Sequence, residues 1–307
     1  MPTPPSGPPR SSAPAPLVDG DLALLPAESE VGSYAFELVW EGAQVGRIEL
    51  LVDEDDADVL WVVVPEYRAV GIAERALRLA LDWAVEELGV ARVEARVPDA
   101  DRDSVRAAIR SGMRREGIAR AARVGAEDRG DVVVLARVAT DPPPDSREGF
   151  IGILNATLPT KRAIAQGVLR DRNGRVLLCE LTYKDEWDLP GGVVDPSESP
   201  AHCVVREVRE ELGLDVEVRS LLAVNWLPPW RGWTDATVFV FELALDDADG
   251  IADRATLQRR EIRALHFADE EEWEGKVAAY NQRLLAFLAT HTGPTAYLED
   301  GLPALGG

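Results

Sequence analysis

The chain has 307 residues, of which 46% are hydrophobic and 28% charged, and its formal net charge is −21. This length predicts two domains of ordinary globular composition. The negative charge opposes binding along a nucleic-acid backbone, and no apolar run is long enough to span a membrane. The only cysteines, Cys179 and Cys203, exclude a disulfide scaffold and a cysteine zinc site, so we expect a cytoplasmic protein.

Proline-rich stretches set the predicted domain boundaries. Residues 1–16 are rich in proline and predict a disordered tail rather than a secretory signal. A second cluster, Pro142–Pro144, disfavours both sheet and helix, so residues 141–149 are predicted to be a linker. The two predicted domains are therefore residues 17–140 and residues 150–307.

Hydrophobic periodicity predicts strands and helices in both domains. In the first domain the predicted order is strands 34–40 and 45–52, an exposed acidic loop 53–58, strand 59–64, helix 73–88 and strands 92–97, 118–124 and 132–138. In the second domain the predicted order is strands 162–170 and 175–181, helix 200–212, strands 216–224, 237–245 and 262–267, and one long helix 269–291.

The predicted helix 200–212 carries an unusual group of carboxylates. Glu207, Glu210 and Glu211 are spaced i, i+3 and i+4, so they share one helix face. They lie near the C-terminal end of the helix, where the helix dipole opposes anions. A divalent cation would remove that penalty, and hard oxygen ligands suit Mg²⁺ or Mn²⁺. The alternative is a solvated acidic face with no ligand.

The surrounding residues favour the metal site. The run from Gly192 through Glu198 and Arg206 to Leu214 fits Gly-x5-Glu-x7-Arg-Glu-apolar-x-Glu-Glu-x-Gly-apolar at every fixed position. In this the second domain resembles the Nudix hydrolases. The resemblance implies an α/β/α sandwich and metal-dependent cleavage of a nucleoside-diphosphate-linked small molecule.

The same resemblance implies roles for individual residues. Glu207, Glu210 and Glu211 would bind the metal, with help from Glu198 and the carbonyl of Gly192. Arg206 would hold a catalytic carboxylate in position. The general base stays open between Glu210 and Glu211, with Glu261 and Glu270–Glu272 as candidates outside the motif.

Three of the eight tryptophans lie within eight residues, at Trp226, Trp230 and Trp233. Their rings could clamp a nucleobase, with Arg231 near a phosphate. The alternative is that they pack this loop against the core. Both interpretations remain open at this point.

A glycine-containing turn joins predicted strand 59–64 to helix 73–88. The N–H groups at such a helix N-terminus suit a diphosphate. Together with the segment 101–117, this part resembles the GNAT acetyltransferases, and the resemblance implies a mixed sheet with helices that binds acetyl-CoA. The residues expected to contact the cofactor are Val64, Arg68, Val70, Gly71, Ile72 and Ala73. Arg106 and Arg110 would attract its phosphates or merely cover a helix.

Three departures from the GNAT pattern weigh against transfer activity. Only about nine residues separate Leu25 from Tyr34, where the family has two helices. Asp101 replaces the usual asparagine, and no tyrosine or cysteine occurs late in the domain to protonate a thiolate. One alternative is therefore an acetyltransferase whose second domain only binds a ligand. Another is a non-enzymatic sensor of a nucleotide or CoA; a homodimer is one option for assembly.

Overall fold

The computed structural model describes residues 14–124, 128–245 and 250–304, so most of the expected tail 1–16 lies outside the described residues. The chain divides into two compact units between Pro159 and Thr160. Within the described residues, no helix is sufficiently long and apolar to cross a membrane.

The first unit is built on one mixed sheet. Its elements in chain order are β1 (Leu17–Asp19), β2 (Leu22–Ala27), β3 (Ser33–Trp40), β4 (Ala43–Asp53), β5 (Asp56–Val63), a 3₁₀ helix (Pro65–Val70), α1 (Ile72–Glu86), β6 (Arg92–Pro98), α2 (Arg102–Arg110), β7 (Arg114–Arg123), β8 (Arg129–Val138) and α3 (Arg147–Thr157). Within the described residues the strands are ordered β1-β2-β3-β4-β5-β6-β8-β7. Helix α1 buries an apolar stripe that includes Leu77 and Leu81 against strand residues such as Phe36 and Ile48.

Strands β5 and β6 separate along their length. They are the parallel neighbours of this sheet, and they pair only from Asp56↔Arg92 to Asp58↔Glu94. β5 then continues to Val63, paired with β4 alone. The remaining backbone edge of β5 therefore opens a cleft in the sheet.

The prediction of an acidic loop at 53–58 is wrong. β4 runs to Asp53, β5 begins at Asp56, and these two residues pair across a tight turn at Glu54 and Asp55. In β5 the exposed Asp56 alternates with buried Ala57. The many acidic residues made this segment look like a loop, although exposed polar residues alternate with buried apolar residues in it, as in a strand.

Helix α3 was not anticipated. Ser146 caps it by accepting a hydrogen bond from the N–H of Gly149 at 3.0 Å. The helix packs on β7, where a Cβ on Gly152 would lie 2.5 Å from Nη2 of Arg114. It overlaps the predicted linker 141–149 and belongs to the first compact unit, which ends about ten residues beyond that linker.

The second unit is a sandwich of helices on a mixed sheet, as predicted. Its elements are β9 (Arg162–Val168), β10 (Val176–Leu181), β11 (Gly191–Val193), α4 (Pro200–Leu212), β12 (Glu217–Leu227), β13 (Ala236–Ala244), α5 (Ile251–Arg254), β14 (Ile262–Ala268), α6 (Glu270–Trp273), α7 (Ala279–Thr290), β15 (Ala296–Glu299) and β16 (Leu302–Pro303). In the described part of the unit, one sheet has the order β11-β9-β13-β12-β15-β16, and β10 pairs with β14. One core packs α4 through Val204 and Val208, and another packs α7 through Leu284 and Leu285.

The single long helix predicted at 269–291 is wrong, because the segment forms α6 and α7. Asp269 and Glu272 form a capping box that begins α6, and Gly275 with φ 71° interrupts the helix after one turn. Trp273 and Val277 are nevertheless buried, as the apolar pattern predicted.

Candidate functional site

The carboxylates of α4 are placed by the ends of the helix and by a short neighbouring strand. Ser199 caps the helix by accepting from the N–H of His202 at 3.3 Å, Pro200 occupies the first turn, and Gly213 ends the helix with φ 68°. Strand β11 packs directly against this helix. The site is therefore built between one face of α4 and the backbone of residues 191–193.

Arg206 holds three carboxylates together. Its Nε and Nη2 donate to the two oxygens of Glu198 at 2.8 and 2.9 Å, and Nη1 donates to Glu207 at 3.0 Å and to Glu210 at 3.2 Å. These bonds lower the pKa of Glu198 to about 2, helped by the N–H of Asp195. The loop residue Glu198 thus folds back over the helix face, and the positioning role predicted for Arg206 agrees with its contacts.

Glu207 lies against a glycine that has no room for a side chain. A Cβ on Gly192 would come within 2.5 Å of Oε1 of Glu207. Burial raises the pKa of Glu207, and the opposing charge of Arg206 limits the effect. Gly192 therefore brings its backbone close to the carboxylate of Glu207.

Glu211 is the most deeply buried of these carboxyls, at 7% exposure. Its Oε2 accepts from the N–H of Gly191 at 3.3 Å. Burial raises its pKa to about 8, and the negative charges of Glu207, Glu261 and Asp188 add to this against the Gly191 hydrogen bond. In the absence of a cation these surroundings favour the protonated form of the carboxyl, and a divalent cation would displace the proton.

A loop from α5 to β14 closes the C-terminal end of α4. The N–H groups of Thr256 and Gln258 donate to the carbonyls of Leu212 and Glu211, both at 2.8 Å. This loop carries Glu261, whose charge contributes to the raised pKa values of Glu207 and Glu211. Of the candidates outside the motif, the structure thus brings Glu261 to the site, whereas Glu270–Glu272 form the capped turn of α6.

The carboxylates around α4 suit a divalent cation in their chemistry, although they are not arranged as a complete metal site. Among the described side chains, no group of three or more His, Cys, Asp or Glu residues is placed as a metal site. The guanidinium of Arg206 lies between the carboxylates of Glu198, Glu207 and Glu210. The available donors are all oxygens, the type that Mg²⁺ and Mn²⁺ prefer, and buried Glu211 takes only a backbone hydrogen bond in the described structure.

The tryptophan cluster forms an exposed hairpin tip. Trp230 and Trp233 exchange backbone hydrogen bonds at 3.1 and 2.9 Å across Arg231 and Gly232, both with positive φ. Trp230 is 49% and Trp233 64% exposed, so these two do not pack the loop against the core. Trp226 is half-buried in β12 and donates to Asp235 at 3.2 Å.

Arginine side chains cover one face of each exposed indole. The guanidinium of Arg231 lies 4.2 Å from the ring centre of Trp230, and that of Arg162 lies 4.8 Å from the ring centre of Trp233. Arg231 also donates to Glu186 at 3.3 Å, on the loop that leads to β11. The hairpin therefore combines aromatic surface with positive charge in an acidic protein.

The first unit has a cavity of about 760 Å³ beside the open edge of β5. Four of the residues expected to contact the cofactor line it: Arg68, Val70, Gly71 and Ala73. Among the other expected residues, Ile72 is buried in the core, and the N–H of Val64 donates to Val45 at 2.9 Å. Gly71 has φ 79° and caps α1 without a side chain, so the first turn of α1 takes no side-chain cap beside the cavity.

Helix α2 adds a basic wall to this cavity through Arg106 and Arg110. Each has a carboxylate within reach, Asp103 at 3.4 Å and Glu74 at 3.9 Å. Asp101, at the position of the usual asparagine, caps α2 by accepting from the N–H of Ser104 at 3.2 Å. The separation of β5 from β6, which creates the cavity, leaves no mark in the residue pattern, so the sequence could not reveal it.

Comparison with known proteins agrees with both resemblances. Residues 160–288 match the NUDIX domain family, and residues 16–114 match the acetyltransferase (GNAT) domain family. The CTP pyrophosphohydrolase of Escherichia coli strain K12 is 30% identical over 106 residues, which are 33% of this chain and 72% of that protein. The chain belongs to the Nudix family.

The 8-oxo-dGTP diphosphatase of Proteus vulgaris is 35% identical to the chain over 66 residues, 20% of this chain and 59% of that protein. Among the first curated relatives, the chain spans between 31% and 59% of their length. A solved GNAT acetyltransferase from Bacillus anthracis is 25% identical, with a TM-score of 0.33, over 34% of this chain and 66% of that one. The two family matches occupy separate parts of the chain, residues 16–114 for GNAT and residues 160–288 for NUDIX.

Proposed function

We propose that the Nudix unit hydrolyses the diphosphate bond of a nucleotide-type small molecule, with Mg²⁺ or Mn²⁺ as cofactor. The observation that carries this proposal is the convergence of Glu207 on the backbone of Gly192 and of Glu211 on the N–H of Gly191, with Arg206 joining Glu198 to Glu207. Negative charge collected around buried oxygens is costly unless a cation compensates it. A diphosphate substrate in an acidic protein likewise needs that cation.

The residues of the site divide into ligands and positioning groups. Glu207, Glu210, Glu211 and the Gly192 carbonyl would hold the cation, assisted by Glu198. When bound, a divalent cation polarises a diphosphate oxygen and lowers the pKa of bound water. Arg206 orients Glu198 and Glu207 and does not need to touch substrate. Glu210 and Glu211 each keep a carboxylate oxygen able to accept a proton from water, and Glu261 remains a third candidate.

The substrate class follows from the chemistry of the hairpin and the relatives. The two relatives named above carry activities on CTP and 8-oxo-dGTP, which differ in base but are both nucleotides. The exposed indoles of Trp230 and Trp233 can stack on a base, and Arg231 can approach a phosphate. We therefore infer a nucleoside moiety on one side of the cleaved bond.

A panel of diphosphates tests the proposal. Nucleoside triphosphates, nucleoside-diphosphate sugars, dinucleotides, CoA and inorganic pyrophosphate are incubated with the full chain and Mg²⁺ or Mn²⁺, and phosphate products are measured. We expect cleavage of at least one nucleoside compound, abolished by chelation of the metal. If every nucleoside compound survives while inorganic pyrophosphate is cleaved, the proposed substrate class is wrong.

For the GNAT unit we propose that the cavity beside β5 binds acetyl-CoA. Its support is the uncapped first turn of α1 at Gly71, the open edge of Trp61–Val63, and the basic wall of α2. Between β2 and β3 lies only the loop 28–32, so helices that would wall an amine-acceptor site are absent from this part of the described structure. We therefore rank CoA binding ahead of acetyl transfer.

CoA is expected to raise the melting temperature of the full chain by roughly 5 °C at a concentration far above its dissociation constant. The double variant Arg106→Gln/Arg110→Gln should lose most of this shift, because it removes two cations from the cavity wall. Arg120→Gln, an exposed arginine on β7, is the matched control and should keep it. An equal shift in both variants would contradict the basic wall as a phosphate contact. Acetyl-CoA consumption with an amine acceptor, persisting in Glu211→Gln, would instead favour a transferase.

A further inference from the structure

A buried polar cluster lies beside the carboxylates of α4 and has no role in the chemistry described so far. Its centre is Asp188, whose side chain is 14% exposed. Oδ1 of Asp188 accepts from Nε2 of Gln166 on β9 at 2.8 Å, from Nδ2 of Asn281 on α7 at 2.6 Å, and from the N–H of Leu189 at 2.9 Å. Oδ2 is paired with Lys184. One carboxylate thus joins the sheet, a helix and the loop before β11.

This cluster buries polar groups that apolar packing would not need. Gln166 is 6% exposed and Asn281 is fully buried. Both amides turn their N–H groups to Asp188, and the hydroxyl of Tyr280 lies within hydrogen-bonding reach of both side chains. Oε1 of Gln166 and Oδ1 of Asn281 nevertheless have no hydrogen bond of good geometry within the described residues. Apolar side chains of the same size would avoid the cost of these buried polar atoms. The arrangement therefore points to a role other than folding energy.

The cluster fixes the chain where it approaches the metal-binding carboxylates. The N–H and carbonyl of Asp188 both bond to Cys179, at 3.0 and 2.8 Å, and the carbonyl of Pro190 accepts from Gly167 at 2.9 Å. The next residue, Gly191, donates its N–H to Glu211. Gly192 then passes so close to Glu207 that a single added carbon would collide with it. A small displacement of residues 189–192 would therefore move both carboxylates.

We propose that Asp188 is a positioning residue for the metal-binding carboxylates. It anchors residues 189–192 to Gln166 and Asn281, and so places Gly191 against Glu211 and Gly192 against Glu207. Lys184 balances its charge at the edge of the cluster. The proposal rests on the proposed function of the Nudix unit, because it assigns Asp188 to the same metal site.

The test measures Mn²⁺ binding without substrate, in the full chain, from the electron paramagnetic resonance signal of free Mn²⁺. Asp188→Ala is expected to weaken Mn²⁺ binding about 10- to 100-fold, as loss of a group that orients metal ligands does. Asp188→Asn keeps an acceptor at Oδ1 and should fall between Asp188→Ala and the wild type. With a substrate that the wild type cleaves, kcat of the Asp188 variants should fall while KM stays unchanged, because no substrate contact is lost.

Asp171→Asn is the matched control. The side chain of Asp171 is 4% exposed, against 14% for Asp188, and it accepts from the N–H groups of Asn173 and Arg175 in the β9–β10 turn. Its substitution should lower the melting temperature while leaving Mn²⁺ affinity unchanged. Wild-type Mn²⁺ affinity in both Asp188 variants would overturn the proposal. If Asp188→Ala does not fold, Asp188→Asn decides by the same measurement. If the wild type binds Mn²⁺ but cleaves no diphosphate, the proposed function is wrong and the role of Asp188 at the metal site can still hold. If the wild type binds no Mn²⁺, both the proposed function and the role of Asp188 are wrong.

Discussion

Replacing Glu207 or Glu211 with glutamine should lower metal-dependent turnover at least about 100-fold, equivalent to about 2.7 kcal/mol of transition-state stabilisation. Glutamine keeps the size of the side chain but removes the charge that a cation needs. The loss should be larger at Glu211, because this carboxyl is buried and water has less access to replace it as a ligand. Initial rates at saturating Mg²⁺ or Mn²⁺ measure the effect.

The folded state should survive both substitutions. Burial raises the pKa of Glu211, so the metal-free protein loses stability there above the pKa of the unfolded carboxyl, and a neutral amide removes that cost. The melting temperature of Glu211→Gln in chelator should therefore equal or exceed that of the wild type. Glu217→Gln, on an exposed strand position, is the control for turnover. Turnover within a few-fold of the wild type in Glu211→Gln would contradict the assigned role.

Glu210→Gln should have a smaller effect than these two changes. Its side chain is 53% exposed and its contact with Arg206, at 3.2 Å, is longer than those of Glu198 and Glu207 with that guanidinium. Water can therefore replace Glu210 as a ligand at lower cost. The expected loss of turnover therefore declines in the order Glu211, Glu207, Glu210. This order follows from the burial of each side chain, and motif spacing alone does not predict it.

The local signals in the sequence were sufficient for helix α4 and its glutamates. Ser199, Pro200 and Gly213 mark both ends of the helix, and the i, i+3, i+4 spacing places the carboxylates on one face whatever surrounds them. The helix break at Gly275 was missed because the apolar pattern continues through it to Val277. Periodicity reports which residues are buried, and it does not report whether the backbone between them is continuous.

Features that depend on distant segments could not be predicted. The cavity of the GNAT unit exists because β5 and β6 diverge after Asp58, and the Asp188 cluster brings together residues 93 positions apart in sequence.

Helix α3 was missed for a local reason. It follows prolines that suggested a linker, yet Ser146 supplies its cap. The exposure of Trp230 and Trp233 likewise depends on the hairpin turn at Arg231 and Gly232 rather than on their composition.

Removing the charge of Arg206 should inactivate the Nudix unit by a different route. Arg206→Gln leaves Glu198, Glu207 and Glu210 without the guanidinium that now separates them, so their repulsion displaces the ligands. Turnover should fall about 10- to 100-fold, as expected when a group that orients metal ligands is lost. Arg209→Gln is the matched control, because Arg209 lies on the same helix and pairs with the exposed Asp215 instead.

The melting temperature of Arg206→Gln should depend on metal. This dependence distinguishes a role of Arg206 in charge compensation from a role in packing. Arg206 is the cation that compensates the carboxylates in the metal-free protein, so Arg206→Gln should lower the melting temperature most in chelator. Saturating Mn²⁺ supplies replacement charge and should restore much of the loss, giving the variant a larger metal-induced shift than the wild type. An identical decrease with and without Mn²⁺ would mean that Arg206 contributes through packing alone. The metal-induced shift in melting temperature is therefore measured in the wild type and in Arg206→Gln. The difference between the two shifts reports how far the guanidinium and the cation compensate the same carboxylates.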